Sequence, residues 1–141
     1  IKFIYGSDLS SSAVECAIYN TKKLTNNFDI RESNLLNEWK KEKFNIIIND
    51  ISGISSEINT ITDWFKYAPN NSGKDGVKFT INIIKNYKKN TLSKGKLVFP
   101  VLGLSNRSKI ISYLKKEKIR YRILYKKEWP LPQSMLKHRS F

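Results

Sequence analysis

Three polar side chains follow strand-like, apolar stretches of this sequence: Asp8, Asn34 and Asp50. The most strongly apolar of these stretches is the run of residues 44–48, which ends abruptly before Asp50. In open α/β sheets, ligands bind just outside the carboxyl ends of the strands. The three strand ends therefore outline one cleft, and we centre the candidate site on Asp50.

The two carboxylates suit different tasks. Asp8 lies where a strand meets a helix, and there an ionised carboxylate can accept hydrogen bonds from both hydroxyls of a ribose. The same position also suits an aspartate that only caps the helix. Asp50 likewise suits either a ligand site or the cap of a turn. The spacing alone leaves these alternatives open.

Length and composition restrict the class of protein. A chain of 141 residues that is 40% hydrophobic and 12% aromatic predicts one globular domain with a core of its own. Its single cysteine, Cys16, excludes a disulfide framework and a cysteine-rich zinc site, and it favours a reducing, cytoplasmic setting. No apolar run approaches the roughly 20 residues of a membrane span. We therefore expect neither a metal nor a membrane partner.

The net charge of +14 is distributed unevenly. Residues 1–63 carry 7 Lys/Arg and 9 Asp/Glu, whereas residues 64–141 carry 19 Lys/Arg and 3 Asp/Glu. This asymmetry predicts an anionic partner for the second half. We expect the partner to be nucleic acid, with RNA as the favoured class, and we expect it to contact a basic stripe along one helix face. The stripe comprises Lys74, Lys78, Lys85 and Lys89.

Strand-like and helix-like patterns alternate along the chain. This alternation predicts an α/β fold with a mostly parallel sheet. We expect the runs 44–49 and 97–102 to be buried on both faces, and 119–125 to form a half-buried strand. Further strands are predicted at 1–5 and 28–31, and helices at about 10–24, at about 73–90 and from Ser105 onward.

Three stretches carry a resemblance to a known family. The residues 6–10 (Gly-Ser-Asp-Leu-Ser), the run 44–54 and the residues 73–77 (Gly-Lys-Asp-Gly-Val) resemble class I S-adenosylmethionine-dependent methyltransferases of the HemK type. That group includes the release-factor glutamine methyltransferases. The resemblance implies a Rossmann-like sheet that lacks the family's first strand, which belongs between the strands at 1–5 and 44–49, and also its last. It implies that residues 1–141 form a single, partial methyltransferase domain cut from a longer chain.

The resemblance also implies a cofactor site for S-adenosyl-L-methionine. By this resemblance, Asp8 would bind the ribose and Leu9 would pack near the adenine. Asn34, where the family usually has Asp, would hydrogen-bond the adenine amine, and Leu35 would flank it. All four residues stand at the ends of the first two predicted strands.

The same resemblance places the catalytic motif at residues 50–53. Asp50 would take the first position of the family's Asn/Asp-Pro-Pro-Tyr motif, whose side chain accepts hydrogen bonds from the nitrogen that is methylated. Ile51, Ser52 and Gly53 stand where the family has Pro-Pro-Tyr. The sequence therefore lacks the rigid turn that the two prolines give and the tyrosine ring on which a planar amide or base would lie. The reaction implied is transfer of the sulfonium methyl group to a nucleophile held in line, for which positioning supplies most of the rate.

Three functions remain compatible with the sequence. The first is a methyltransferase acting on a macromolecule, either RNA or a translation-related protein. The second is a catalytically silent relative that binds nucleic acid through its basic half. The third is an NAD-dependent Rossmann enzyme, because Asp8 at the end of a second strand would suit NAD as well. The aromatic residues Trp64, Phe65 and Tyr67 suit either base stacking or packing under a loop.

Overall fold

The computed structural model describes residues 2–51, 53–61, 70–131 and 136. The chain divides into two compact units. The first comprises residues 1–47 and 86–96, and the second comprises residues 48–85 and 97–141. Helices and short parallel sheets make up the described part of the chain, with both sheets mainly in the first unit, so the predicted mixed α/β class is confirmed at this coarse level.

The first unit begins with a strand–helix–strand segment. Strand β1 (Ile4–Asp8) pairs in parallel with β2 (Phe28–Glu32), and helix α1 (Ser11–Lys22) connects them. The helix begins where it does because the Ser10 hydroxyl accepts a hydrogen bond from the Ala13 N–H, which satisfies one of its free donors. The predicted helix and second strand are confirmed. The first strand lies three residues later than predicted, so Asp8 is its last residue.

Strand β3 (Phe44–Ile48) pairs with β4 (Thr91–Val98) in a second sheet. The prediction that β3 is buried on both faces is wrong. Ile47 is buried, but Ile46 is 58% exposed and Ile48 77% exposed. Alternate residues of a strand point to opposite faces. In the part of the chain that the structure describes, this sheet has only two strands, and one face of β3 is left open.

A buried tryptophan organises the loop between β2 and β3. Trp39 is 2% exposed, and the rings of Tyr5 and Phe44 meet it edge to face at 5.5 and 6.0 Å between centroids. The guanidinium of Arg31 lies 4.4 Å from the Trp39 ring centre and also binds Asp29 through two nitrogens. Because these contacts converge on one ring, Trp39 fixes the loop that follows β2.

The second unit has a core of two helices. Helix α3 (Lys78–Asn86) and helix α4 (Arg107–Lys116) bury apolar side chains at helical spacing. A short helix, α2 (Ser56–Ile61), precedes them, and a 3₁₀ turn at Tyr87–Asn90 follows α3. The core comprises Val77, Ile84, Ile110 and Leu114, with Ile81, Leu97, Phe99, Tyr113 and Ile119 packed against it.

Three predictions for the second half are corrected. The strand predicted at 97–102 spans Thr91–Val98 instead, and its expected burial on both faces is wrong, because residues 97–99 are half-buried and residues 100–102 are exposed. The helix predicted from residue 73 begins at Lys78, because residues 73–76 form a turn. The half-buried strand predicted at 119–125 does not form. Only Ile119 of this stretch is partly buried, and residues 120–131 are all exposed.

Candidate functional site

Asp8 ends β1 with its carboxylate at the surface. The Asp8 Oδ1 atom accepts a hydrogen bond from the Ser10 N–H at 2.8 Å, so the carboxylate does cap the approach to α1. An ionised carboxylate offers two oxygens and about four acceptor positions. One bond to Ser10 therefore leaves acceptor capacity for a ribose hydroxyl, and the capping and binding roles are compatible.

The end of β2 lies against the end of β1. Asp8 pairs with Glu32 in the strand register, and the Ser33 N–H donates to the Asp8 carbonyl at 2.8 Å. Asn34 follows directly and is exposed, and Leu35 is half-buried. The structure therefore brings Asp8 and Asn34 to the same sheet edge, as the parallel pairing of their strands requires.

Leu35 has an unusual backbone conformation. Its φ is +57°, which costs a non-glycine residue roughly 1–2 kcal/mol. Two hydroxyl groups bind its carbonyl oxygen: Ser33 Oγ donates at 3.1 Å and Ser7 Oγ at 3.4 Å. These bonds tie the turn after β2 to β1, because Ser7 belongs to that strand. Leu9, on the neighbouring turn, is 53% exposed. This edge thus offers apolar surface beside a carboxylate and an amide.

Asp50 lies in the second unit, directly after β3. The preceding residue, Asn49, is buried, and its N–H donates to the Val98 carbonyl at 2.9 Å. Asp50 itself is exposed and Ile51 is partly buried. The pairing of β3 with β4 thus continues up to the residue before Asp50 and ends there. Ser52 lies outside the described residues, as do Trp64, Phe65 and Tyr67.

The backbones of residues 53–55 and 72–76 lie in close contact. Gly53 is buried, and Ile54 is completely buried and accepts a hydrogen bond at its carbonyl from the Ser72 N–H at 2.8 Å. Gly76 has a φ of +71°, and a Cβ there would lie 2.8 Å from the Gly53 carbonyl oxygen and 2.9 Å from the Ser55 nitrogen. Only glycine fits this position without a backbone shift. We call this contact between residues 53–55 and 72–76 the glycine clasp.

An ion pair and a helix start support the clasp. The Lys109 ammonium of α4 binds the carboxylate of Asp75, and the Asn106 N–H donates to the Asp75 carbonyl at 2.9 Å. The hydrogen bond from Lys109 lowers the pKa of Asp75, and the charge of Lys109 contributes in the same direction. Asn106 also caps α4, because its Oδ1 atom accepts from the Lys109 N–H at 2.9 Å. Asp75 is thereby assigned a structural role that the sequence analysis did not foresee, although the Gly-Lys-Asp-Gly run is itself a turn signal.

The predicted basic stripe is only partly helical. Lys78 and Lys85 belong to α3 and lie on the side opposite its buried residues, seven positions apart. Lys74 precedes the helix in the turn, and Lys89 lies in the 3₁₀ turn and in the first unit. All four side chains are exposed. The Lys85 ammonium lies 5.7 Å from the Tyr113 ring centre, which is within the range of a cation–π contact.

The described residues contain no group of three His, Cys, Asp or Glu side chains that could hold a metal ion. Over the same residues, no helix is both long enough and apolar enough to cross a membrane. Comparison of the chain with protein-family models, with curated proteins and with solved structures finds no match.

Proposed function

We propose that this chain is part of an S-adenosyl-L-methionine-dependent methyltransferase acting on a macromolecule. The observation that carries the proposal is the sheet edge at Asp8. There an acidic residue ends a parallel strand, and Asn34 and Leu35 lie in the turn that follows the neighbouring strand. In a nucleoside-binding α/β fold, this is where the ribose and the base of the cofactor bind.

The strand pairs support the same proposal. The resemblance places one strand of the family between β1 and β3. Removing such a strand from a parallel sheet leaves two pairs, and the pairs it leaves are β1–β2 and β3–β4. These are the two pairs present in the described part of the chain. This agreement is independent of any single site residue.

The reaction assigned to Asp50 is methyl transfer without a covalent intermediate. The exposed carboxylate of Asp50 would accept a hydrogen bond from the nucleophile and orient it. The bound cofactor would supply the methyl group, with its sulfur leaving as a neutral thioether, and the proton of the nucleophile would pass to Asp50 or to water. The glycine clasp would fix the backbone of Gly53, the last of the residues that replace the family's Pro-Pro-Tyr. Rigidity would thus come from Gly53 and Gly76 instead of from proline.

Calorimetry with S-adenosylmethionine tests the cofactor site, with NAD titrated in parallel. Asp8→Asn is the informative variant, because an asparagine oxygen can still accept from the Ser10 N–H and preserve the cap. If Asp8 binds the ribose, Asp8→Asn weakens cofactor binding by about 10- to 150-fold, the range for losing a hydrogen bond to a charged group. Glu15→Ala, which removes an exposed carboxylate from α1, is the matched control. Unchanged binding in Asp8→Asn would reduce Asp8 to a capping residue, and tighter binding of NAD would favour the dinucleotide enzyme.

Transfer of a labelled methyl group into a cell extract tests the catalytic assignment. We expect Asp50→Ala to retain cofactor binding and to reduce transfer. Loss of cofactor binding in Asp50→Ala, with Asp8→Asn unaffected, would show that the two carboxylates are assigned the wrong way round. Cofactor binding without transfer in the wild type would favour the catalytically silent relative.

We further propose that the partner of the second half is nucleic acid, with RNA as the expected class. Residues 64–141 carry 19 basic and only 3 acidic residues. Two of the three carboxylates, Asp75 and Glu128, already pair with Lys109 and Lys126. A surface that serves solubility alone normally mixes both signs. The excess of positive charge is therefore available to phosphates.

A further inference from the structure

Residues 120–131 form an exposed, irregular segment with an unusual mixture of side chains. None of them lies in a helix or a strand, and every one is exposed. Three aromatic rings recur at intervals of four residues: Tyr121 is 47% exposed, Tyr125 77% and Trp129 71%. Aromatic side chains of this size are usually buried, so three exposed ones in a single segment indicate a surface that binds a partner molecule. We call this stretch the aromatic arm.

Positive charges stand between the rings. Arg120 and Arg122 flank Tyr121, and Lys126 and Lys127 lie between Tyr125 and Trp129. The Lys127 ammonium lies 3.9 Å from the Trp129 ring centre. The arm's one carboxylate, Glu128, forms an ion pair with Lys126 at 3.0 Å. The arm thus presents cations next to π-faces, with little acidic charge to oppose them.

From this arrangement we infer that the aromatic arm binds single-stranded nucleic acid, with the rings stacking on bases and the cations contacting phosphates. Every base has a π-face, so stacking platforms of this kind bind single strands with little dependence on sequence. An extended chain spans at most about 3.3–3.6 Å per residue, so the Cα atoms of successive aromatic residues in the arm lie no more than about 13–14 Å apart. Each ring can therefore meet a separate base of one strand, whereas the bases of a duplex are stacked on each other and are closed to it.

Two other partners fit the arm less well. A membrane-surface segment is normally an amphipathic helix, because its backbone groups must be satisfied away from water. The arm is not helical, so its backbone groups would lose water without replacement. An acidic protein segment would match the charge but would not use three aromatic faces, since carboxylates pair with cations alone. Base stacking accounts for both kinds of side chain.

This inference deepens the proposal of a nucleic-acid partner and rests on it, but it does not depend on methyl transfer. Binding is therefore measured without S-adenosylmethionine, by fluorescence anisotropy of a labelled 12-nucleotide poly(U) strand. A 12-base-pair RNA duplex and a poly(Glu) peptide of the same length are measured beside it. We expect the single strand to bind more tightly than either.

The decisive variant is Trp129→Leu, which keeps an apolar side chain and removes the π-face. It should weaken poly(U) binding by roughly 5- to 150-fold, the range for losing one stacked base. Tyr125→Leu should act in the same direction. The matched control is the double variant Ile123→Ala/Leu124→Ala, which removes exposed apolar bulk from the same arm and should change binding by less than twofold. Far-UV circular dichroism should be unchanged in all of them, because these side chains are exposed.

The charges make a separate contribution that salt can measure. Each phosphate contact in a single strand adds roughly 0.7 to the slope of log K against log salt. Replacing Arg120, Arg122, Lys126 and Lys127 by Gln should therefore lower that slope by about two to three.

Poly(U) binding that is unaffected by Trp129→Leu, or equally weakened by the Ile123/Leu124 control, would overturn the inference. Poly(Glu) binding as tightly as poly(U) would reassign the arm to an acidic protein. If no nucleic acid binds at all, the partner proposal fails as well; if only the duplex binds, the inference fails alone.

Discussion

The glycine clasp gives the sharpest test of the structure, through the single substitution Gly76→Ala. Gly76 has a φ of +71°, a backbone region that L-residues adopt only at a cost. The added methyl group would also lie 2.8 Å from the Gly53 carbonyl oxygen, 2.9 Å from the Ser55 nitrogen and 3.1 Å from the Ile54 carbonyl carbon. All three neighbours are backbone atoms of one buried strand-like segment. They cannot move aside as the tip of a flexible side chain could.

Two terms set the expected loss of stability. The left-handed backbone conformation costs alanine roughly 1–2 kcal/mol relative to glycine. Forcing a methyl group into an already packed site typically costs about 1–3 kcal/mol more. We therefore expect Gly76→Ala to lower the free energy of unfolding by about 2–5 kcal/mol.

Two other glycines separate these terms. Gly73 has a φ of +83°, but a Cβ there would meet only the side chain of Lys78, at 3.3 Å. Gly73→Ala should therefore show mainly the backbone term, about 1–2 kcal/mol, because Lys78 has to shift by only a few tenths of an ångström. Gly103 has no atom within 4 Å of its would-be Cβ and no positive φ, so Gly103→Ala should not destabilise the protein.

Urea unfolding followed by far-UV circular dichroism measures all three variants. The expected order of stability loss is Gly76→Ala, then Gly73→Ala, then Gly103→Ala. Equal losses for Gly76→Ala and Gly73→Ala would mean that the backbone contact of the clasp contributes nothing. A Gly76→Ala protein as stable as Gly103→Ala would refute the reasoning altogether, including the argument that the clasp positions the residues after Asp50.

Three further predictions concern a buried amide, an ion pair and the lysines. The buried side-chain amide of Asn90 donates to the carbonyls of Trp39 and Glu42. Asn90→Ala should therefore lower the free energy of unfolding by about 1–3 kcal/mol and shift Trp39 fluorescence. Asn37→Ala, at an exposed position, should do neither. Lys109 lowers the pKa of Asp75, so the ion pair stabilises the fold above the unfolded pKa of aspartate and loses this contribution as the pH falls through the lower, folded value. Asp75→Asn should therefore cost about 0.2–1 kcal/mol near neutral pH, because the Lys109 side chain is 58% exposed, and the difference from the wild type should vanish in acid; a constant difference would contradict the assignment. Changing Lys78, Lys85 and Lys89 together to Gln should lower the salt slope for RNA binding by about two to three, while the equally basic, exposed set Lys22, Lys23 and Lys41 changed to Gln should leave it unaltered.

Local chemistry explains what could be predicted from the sequence. The helix predicted at about 10–24 forms as α1, which Ser10 caps, and the helix predicted at about 73–90 forms in part as α3. These predictions hold because capping and helical periodicity act over a few residues. The parallel pairing of β1 with β2 also followed from the alternation of strands and helices, and it brings Asp8 and Asn34 together.

Only the tertiary structure decided what each strand and segment packs against. Ile46 and Ile48 have the composition of a buried strand but are exposed, because β3 has one neighbouring strand among the described residues. Residues 119–125 alternate as a strand should, yet no strand within the described part of the chain pairs with them and they stay irregular. The approach of Gly76 to Gly53 joins positions 23 residues apart, and Asp75 meets Lys109 across 34. Burial, pairing and such contacts depend on which parts of the chain meet, and a local pattern carries no information about that.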